Sequence, residues 1–389
     1  MTIAIFEIAP KGHYTYVESI AKTYTAVADN KVIIYTTDNG KKAMQHIENQ
    51  SISIIVTAAQ AEDLERIAAQ NFDKIFVVTL EPYAKEQHRI MTVFEKINFN
   101  APIYYVIHNV DLWFEQSLVS KIRNVFFKLN NFGDFIYRLK IYFWYVLINK
   151  KIIQKVEKSG GSFVTLTETV ATHLRKYTPS VSAIPFSVFD EKVIDNSLNN
   201  SKIRICLPGY VSTIRRNYGA IFDILESNEG LKIKEKIEWD FLGGIYKAEN
   251  GESVLERANI LKNKGFSIQI YDKPNVGLQE FDENLAKADL VLGNLHLQQG
   301  ANSSYGKTKE SGLIFTMIKA AKPGIVPSEY PLEKTIESSI LTFKNYQDLA
   351  KILIHLTQHP EILKDLKAKA LVNSLKYTPL SIYQKLEQN

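Results

Sequence analysis

The chain predicts an α/β protein made of two successive doubly wound parallel sheets. Three observations carry this. Short, β-branched, nearly continuous apolar runs alternate with helical periodicity, as expected of parallel strands covered on both faces. The alternation stops at a polar stretch near mid-chain and then restarts. The 389 residues suffice for two cores.

Taken in order, the apolar runs of the first half are Ile3–Ile8, Val32–Tyr35, Ile52–Val56, Ile75–Leu80 and Ile103–Ile107. Helical patterns separate them at about 14–27, 39–48, 60–70 and 82–97. After Asn109 a helical insertion, about 110–158, interrupts the rhythm, which resumes at Phe163–Leu166 and Val181–Ile184. These elements define a first domain over 1–185. The polar stretch 186–201, with Asp190, Asn196, Asn199 and Asn200, reads as a linker. A second domain over 202–344 carries strand candidates at Ile203–Leu207, Trp239–Leu242, Phe266–Ile270, Leu290–Leu292 and Gly324–Pro327. The tail, 345–389, reads as wholly helical. In such sheets ligands bind beyond the strands' C-terminal ends, and a cleft between the two domains is the expected place.

Composition narrows the class. Hydrophobic residues at 45% and charged residues at 23% describe an ordinary folded protein. The single cysteine, Cys206, falls in a strand run, so a disulfide framework is excluded and a core role is expected. The N-terminal run Ile3–Ile8 lacks the basic flank and length of a signal peptide and reads as a first strand, which fits a cytoplasmic protein. No stretch reaches the roughly 18 apolar residues of a transmembrane helix.

The net charge of +5 is concentrated. Residues 121–158 hold nine Lys/Arg, two acids and nine aromatics, a local charge of +7. Within them Arg138, Lys140, Lys150 and Lys151 flank eight consecutive apolar or aromatic residues, Ile141 to Ile148, which include Trp144. That run is too short to span a bilayer. It suits either a helix lying on an anionic membrane surface or a buried helix with a solvated basic end. Nucleic acid is not expected, because no RNA- or DNA-binding module accompanies the patch.

The clearest chemical signal is the turn Leu207-Pro208-Gly209-Tyr210 with Arg215-Arg216-Asn217, set between a strand and the helical pattern Tyr218 to Leu225. A Gly turn opening a helix lets backbone N–H groups approach an anion, and an arginine fork matches a phosphate. Lys307 and Lys309 precede a second apolar helix and form another candidate anion site. Gly306-Lys307-Thr308 is not a P-loop, since that motif needs glycine where Ala301 stands. No metal-ligand spacing is present.

Spread over nearly the whole chain, these marks resemble the GT-B glycosyltransferases, especially the retaining family-four-like enzymes that use nucleotide-sugar donors. Pro10-Lys11-Gly12-His13 stands where the family has a Gly loop near the donor phosphates. His108-Asn109 is similar to the strand end that places a His beside the sugar. Thr167-Glu168-Thr169 and Ile184-Pro185 match the approach to the second domain. Gly209 with Arg215, Arg216 and Asn217 resembles the family's diphosphate turn. Phe241-Leu242-Gly243-Gly244 resembles its next Gly turn, and Ala288 to Leu292 the strand before the late donor loop. In that loop Glu310, followed by Ser311 and Gly312, stands for the first of two family glutamates. The second position, near Thr316 to Ile318, holds no acid.

The resemblance implies two Rossmann-like domains and transfer of a sugar from a UDP- or GDP-sugar to a glycan or lipid-linked glycan hydroxyl. No tightly bound cofactor or metal is implied. His108, Arg216 and Glu310 would be catalytic. Gly12, His13, Gly209, Arg215, Asn217, Gly243, Gly244, Lys307, Lys309, Ser311 and Gly312 would bind the donor. A nucleotide-sugar epimerase on the same architecture, and a noncatalytic binding protein that keeps the fold, are the alternatives.

Overall fold

The computed structural model describes residues 1–9, 12–57, 61–79, 100–110, 114, 150–185, 188–189, 201–298 and 303–388. The chain divides into two compact units. Unit 1 is Met1–Phe186 with Lys307–Glu310 and Ile382–Asn389; unit 2 is Ser187–Gly306 with Ser311–Ser381. The helical pattern at 82–97, the residues Pro10, Lys11, Arg138, Lys140 and Trp144, and most of the 110–158 insertion and of the 186–201 linker lie outside the described residues.

Unit 1 contains β1 (Thr2–Glu7), β2 (Lys31–Thr36), β3 (Ile52–Val56), β4 (Lys74–Val77), β5 (Ile103–Val106), β6 (Phe163–Thr165) and β7 (Val181–Ala183). They form one parallel sheet in the order β3-β2-β1-β4-β5-β6-β7. The central strand β1 explains the continuous apolar run: Ile3, Ala4, Ile5 and Phe6 are all fully buried, because helices cover both faces. Ile5 pairs with Ile34 on one side and Phe76 on the other. One face packs Phe6, Tyr35, Val77, Tyr105 and Phe163 into a single apolar cluster.

Unit 2 contains β8 (Ile203–Cys206), β9 (Ile237–Phe241), β10 (Ser267–Ile270), β11 (Leu290–Leu292), β12 (Gly324–Pro327) and β13 (Ile340–Phe343), parallel and ordered β10-β9-β8-β11-β12-β13. Its core gathers Ile205, Leu207, Trp239, Phe241 and Leu292 with Tyr218, Phe222 and Leu353 from the helices. Cys206 is fully buried, and burial pushes its thiol pKa well up, which fits a packing residue. The edge strand β13 was not predicted. Its four residues are short for a strand signal, and they are largely half-buried.

The tail is helical over Tyr346–Gln358, Pro360–Ser374 and Pro379–Glu387. Its end belongs to unit 1, where Ile382 is buried and the Tyr383 ring meets Tyr24 edge-on at 5.8 Å. Among the described residues no helix is long and apolar enough to cross a membrane. Lys150 and Lys151 are exposed.

Candidate functional site

Each sheet reverses its strand order once, between β1 and β4 in unit 1 and between β8 and β11 in unit 2. A crevice opens at such a reversal, beyond the C-terminal strand ends, because the flanking connections leave in opposite directions. Gly12 and His13 follow β1 at the first reversal, and Gly209 and Arg216 follow β8 at the second.

In unit 2 the chain leaving β8 turns at Gly209, whose φ of +95° belongs to the left-handed region that favours glycine. The Arg216 guanidinium lies across this turn, donating from Nη2 to Pro208 O and from Nη1 to Tyr210 O at 3.4 Å. A Cβ on residue 209 would stand 2.6 Å from Arg216 Nη2, so glycine is also what admits the arginine. The loop is anchored to the chain leaving β11: Arg216 bridges Leu295, and His296 N–H donates to Arg215 O at 3.0 Å. Gly243 and Gly244 serve close backbone approach, since a Cβ on either would collide with Gly209 O or Pro274 O.

Arg215 has a protein partner that the sequence did not predict. It makes a bidentate pair with Glu249, both contacts at 2.9 Å, and its guanidinium lies 5.6 Å from the Tyr246 ring centre. The Glu249 hydrogen bond raises the Arg215 pKa. Asn217 caps the helix Tyr218–Glu226, its Oδ1 accepting from Ala220 N–H at 3.1 Å. Both arginine charges reach the buried Tyr305 phenol, where they oppose the upward push of burial on its pKa.

At the end of β11 Asn294 is fully buried. Its backbone O accepts from Asn217 N–H at 2.9 Å, but its side-chain Oδ1 and Nδ2 have no hydrogen-bond partner among the described residues. A buried amide left in this state costs about 1–3 kcal/mol per group. Nearby, the helix Gly312–Ala320 packs Leu313 close to Gly293, and Ser311 caps it by accepting from Leu313 N–H at 3.3 Å.

The predicted late donor loop is split between units. Ser311 and Gly312 belong to unit 2, while Lys307, Lys309 and Glu310 belong to unit 1. Lys307 is exposed, and Lys309 bridges Asn109 in antiparallel fashion. The Glu310 carboxylate sits at the N-terminus of the helix Glu168–Leu174, accepting from Leu166 N–H at 2.8 Å, Thr167 N–H at 3.1 Å and the Thr167 hydroxyl at 3.2 Å. It therefore favours that helix's dipole, not the one that follows it in sequence.

Unit 1 presents a polar cluster at its own reversal. Glu7 closes β1 and is fully buried, with its carboxylate accepting from Ala9 N–H, His13 N–H and the Thr79 hydroxyl. His13 stacks on His108 with ring centres 4.1 Å apart, and Tyr16 meets His108 edge-on at 6.2 Å. Burial lowers the pKa of His13 and, more strongly, that of His108, whose Nε2 lies 3.1 Å from Val78 O. Gly12 lets the loop close over Glu7; a Cβ there would be 2.8 Å from the Glu7 side chain. Sequence reasoning missed Glu7 and Thr79. The available signal was an acid ending an otherwise apolar strand that is covered on both faces.

The architecture is shared with solved structures. Anabaena HepE in complex with UDP is 12% identical and matches over 100% of this chain and 99% of that one, with a TM-score of 0.66. A glycosyltransferase from Rickettsia africae is 14% identical over 100% and 97%, with a TM-score of 0.65. The pneumococcal O-GlcNAc transferase GtfA, in complex with UDP and GlcNAc, is 10% identical over 100% and 98%, with a TM-score of 0.58. No protein-family model and no curated protein sequence matches the chain. At these identities the likeness is one of fold, and that fold is GT-B.

Proposed function

We propose that this protein is a glycosyltransferase that moves a sugar from a UDP-sugar to a hydroxyl of a glycan or lipid-linked glycan. The observation that carries the reading is Arg216 lying across the positive-φ Gly209 turn at the strand-order reversal of unit 2. A diphosphate placed there meets a guanidinium fork and the unsatisfied amide of Asn294. Transfer builds negative charge on the departing diphosphate, and preorganised donors stabilise that charge most effectively where water is excluded. Arg216 is the principal contact, because Arg215 is already paired with Glu249. UDP in the HepE and GtfA structures supports the choice of nucleotide.

On the family resemblance alone, His108 is read as a sugar contact and His13 as a donor contact. Transfer is read as hexosyl transfer, retaining and metal-independent, on the family resemblance alone. A role in cell-surface polysaccharide synthesis, at the inner face of the membrane, rests on the basic-aromatic composition around Lys150 and Lys151.

Calorimetry with UDP, UMP, GDP, ADP and CMP, with and without magnesium, tests the reading. UDP should bind selectively without magnesium. Arg216→Ala should weaken UDP by about tenfold or more, the scale of a hydrogen bond to a charged group, and UMP much less. Equal weakening of both nucleotides would remove Arg216 from the distal phosphate. Turnover of a UDP-sugar with no acceptor would favour an epimerase.

A further inference from the structure

Arg216 reaches back across its own loop, since its guanidinium donates to carbonyls six and eight residues earlier, at Tyr210 and Pro208. An arginine side chain is long and has many rotamers, so its place over the turn depends on how firmly residues 208–216 are held. Ser212 and Glu249 hold them. Ser212 is fully buried: its hydroxyl donates to Glu249 Oε2 and accepts from Arg215 N–H at 3.3 Å, and its carbonyl accepts from Arg216 N–H at 3.2 Å. Glu249 belongs to the single 3₁₀ turn Lys247–Glu249, on the chain leaving β9. Besides Ser212, its carboxylate takes Arg215 Nε and Nη2, and its backbone O accepts from the Thr213 N–H and hydroxyl, both at 3.1 Å. The lacing continues with Val211 N–H donating to Gly244 O at 2.9 Å and Tyr246 N–H to Val211 O at 3.1 Å. An ionised carboxylate suits this place, because it only accepts and can receive a hydroxyl and a guanidinium fork together. The Arg215 charge in turn offsets a carboxylate that alone would repel an anion at the Gly209 turn.

We propose that Ser212 and Glu249 are positioning residues: they preset the backbone from which Arg216 reaches over the Gly209 turn, so that a diphosphate meets a guanidinium already in place. Ordering the arginine in advance removes that cost from binding and from the step in which charge builds on the departing diphosphate. Assigning the diphosphate rests on the transferase reading; the ordering of the loop does not.

Calorimetry on the full chain compares UDP with UMP in wild type, Ser212→Ala and Glu249→Gln, each alone and combined with Arg216→Ala. Ser212→Ala should weaken UDP about three- to tenfold, the scale of one lost hydrogen bond, and UMP by less than about twofold. In the Arg216→Ala protein the same change should alter UDP affinity by less than about twofold, because residues that act through one another do not add. A packing defect would instead weaken both nucleotides alike, or weaken UDP equally with and without Arg216. Either result overturns the proposal, as does unchanged UDP affinity. Should Ser212→Ala fail to fold, Glu249→Gln supplies the same comparison. Hydrogen exchange at the Arg216 amide gives a readout that needs no nucleotide. It should quicken about three- to tenfold in Glu249→Gln, and unchanged exchange overturns the presetting. If wild type binds no UDP, the diphosphate assignment falls with the transferase reading, while the loop is judged by exchange alone.

Discussion

The stacked His13 and His108 rings make the first polar cluster sensitive to acid. In the unfolded chain each ring titrates near 6.5, whereas burial lowers both values in the folded protein. Between the folded and unfolded values the unfolded chain binds more protons, so stability rises with pH there. The contribution is complete above about 6.5 and is lost as pH falls toward the folded values, with a slope approaching about 1.4 kcal/mol per pH unit for each ring. Urea denaturation between pH 7.5 and 5 should show this loss, and His108→Gln should flatten it. Among the described residues, Glu7, Tyr16 and Glu310 are further titratable groups around the pair, and they remain in both proteins. At this scale the sequence showed which residues are special more readily than whom they touch. Arg215 and Glu249 are 34 positions apart, and Glu310 and Thr167 are 143 apart. No local pattern encodes such partners.

Elements were more legible, because a strand or helix is written in consecutive residues. The run Ile52–Val56 matched β3, and Leu290–Leu292 matched β11, since flanking polar residues mark their ends. β13 escaped because an edge strand needs less apolar sequence than a central one. Helix starts follow the same rule of local encoding: Thr37, Thr167, Asn217, Ser227, Ser311 and Asn345 each accept a backbone N–H from the first turn of the following helix. Asn217 thus has a sufficient structural role apart from any ligand. Asn217→Ala should cost about 0.5–2 kcal/mol in urea denaturation, and Asn217→Ser should recover most of it. UDP affinity measured on the stable Asn217→Ser protein then separates capping from donor contact.

At the scale of the molecule, periodicity revealed two sheets, but it could not reveal that sequence order and unit membership differ. Residues 307–310 and 382–389 belong to unit 1 although unit 2 surrounds or precedes them in the chain. Ile382 is 4% exposed, and Lys74 pairs with Glu387. Ile382→Ala should therefore destabilise unit 1 by about 2–5 kcal/mol. Hydrogen exchange should locate the loss around β1 and β4, and UDP should still protect the Gly209 turn of unit 2.

That chain path also sets an order of assembly. A ribosome delivers residues from the N-terminus, and a domain ordinarily condenses once its own residues have emerged. Here β1 to β7 are synthesised first, yet the segment that carries Ile382 and Glu387 follows all of unit 2. Unit 1 must wait, partly assembled, while its successor is translated and folds. A nascent chain arrested before residue 382 would hold a finished unit 2 and an unfinished unit 1, and quality-control proteases would meet the older half as the weaker one.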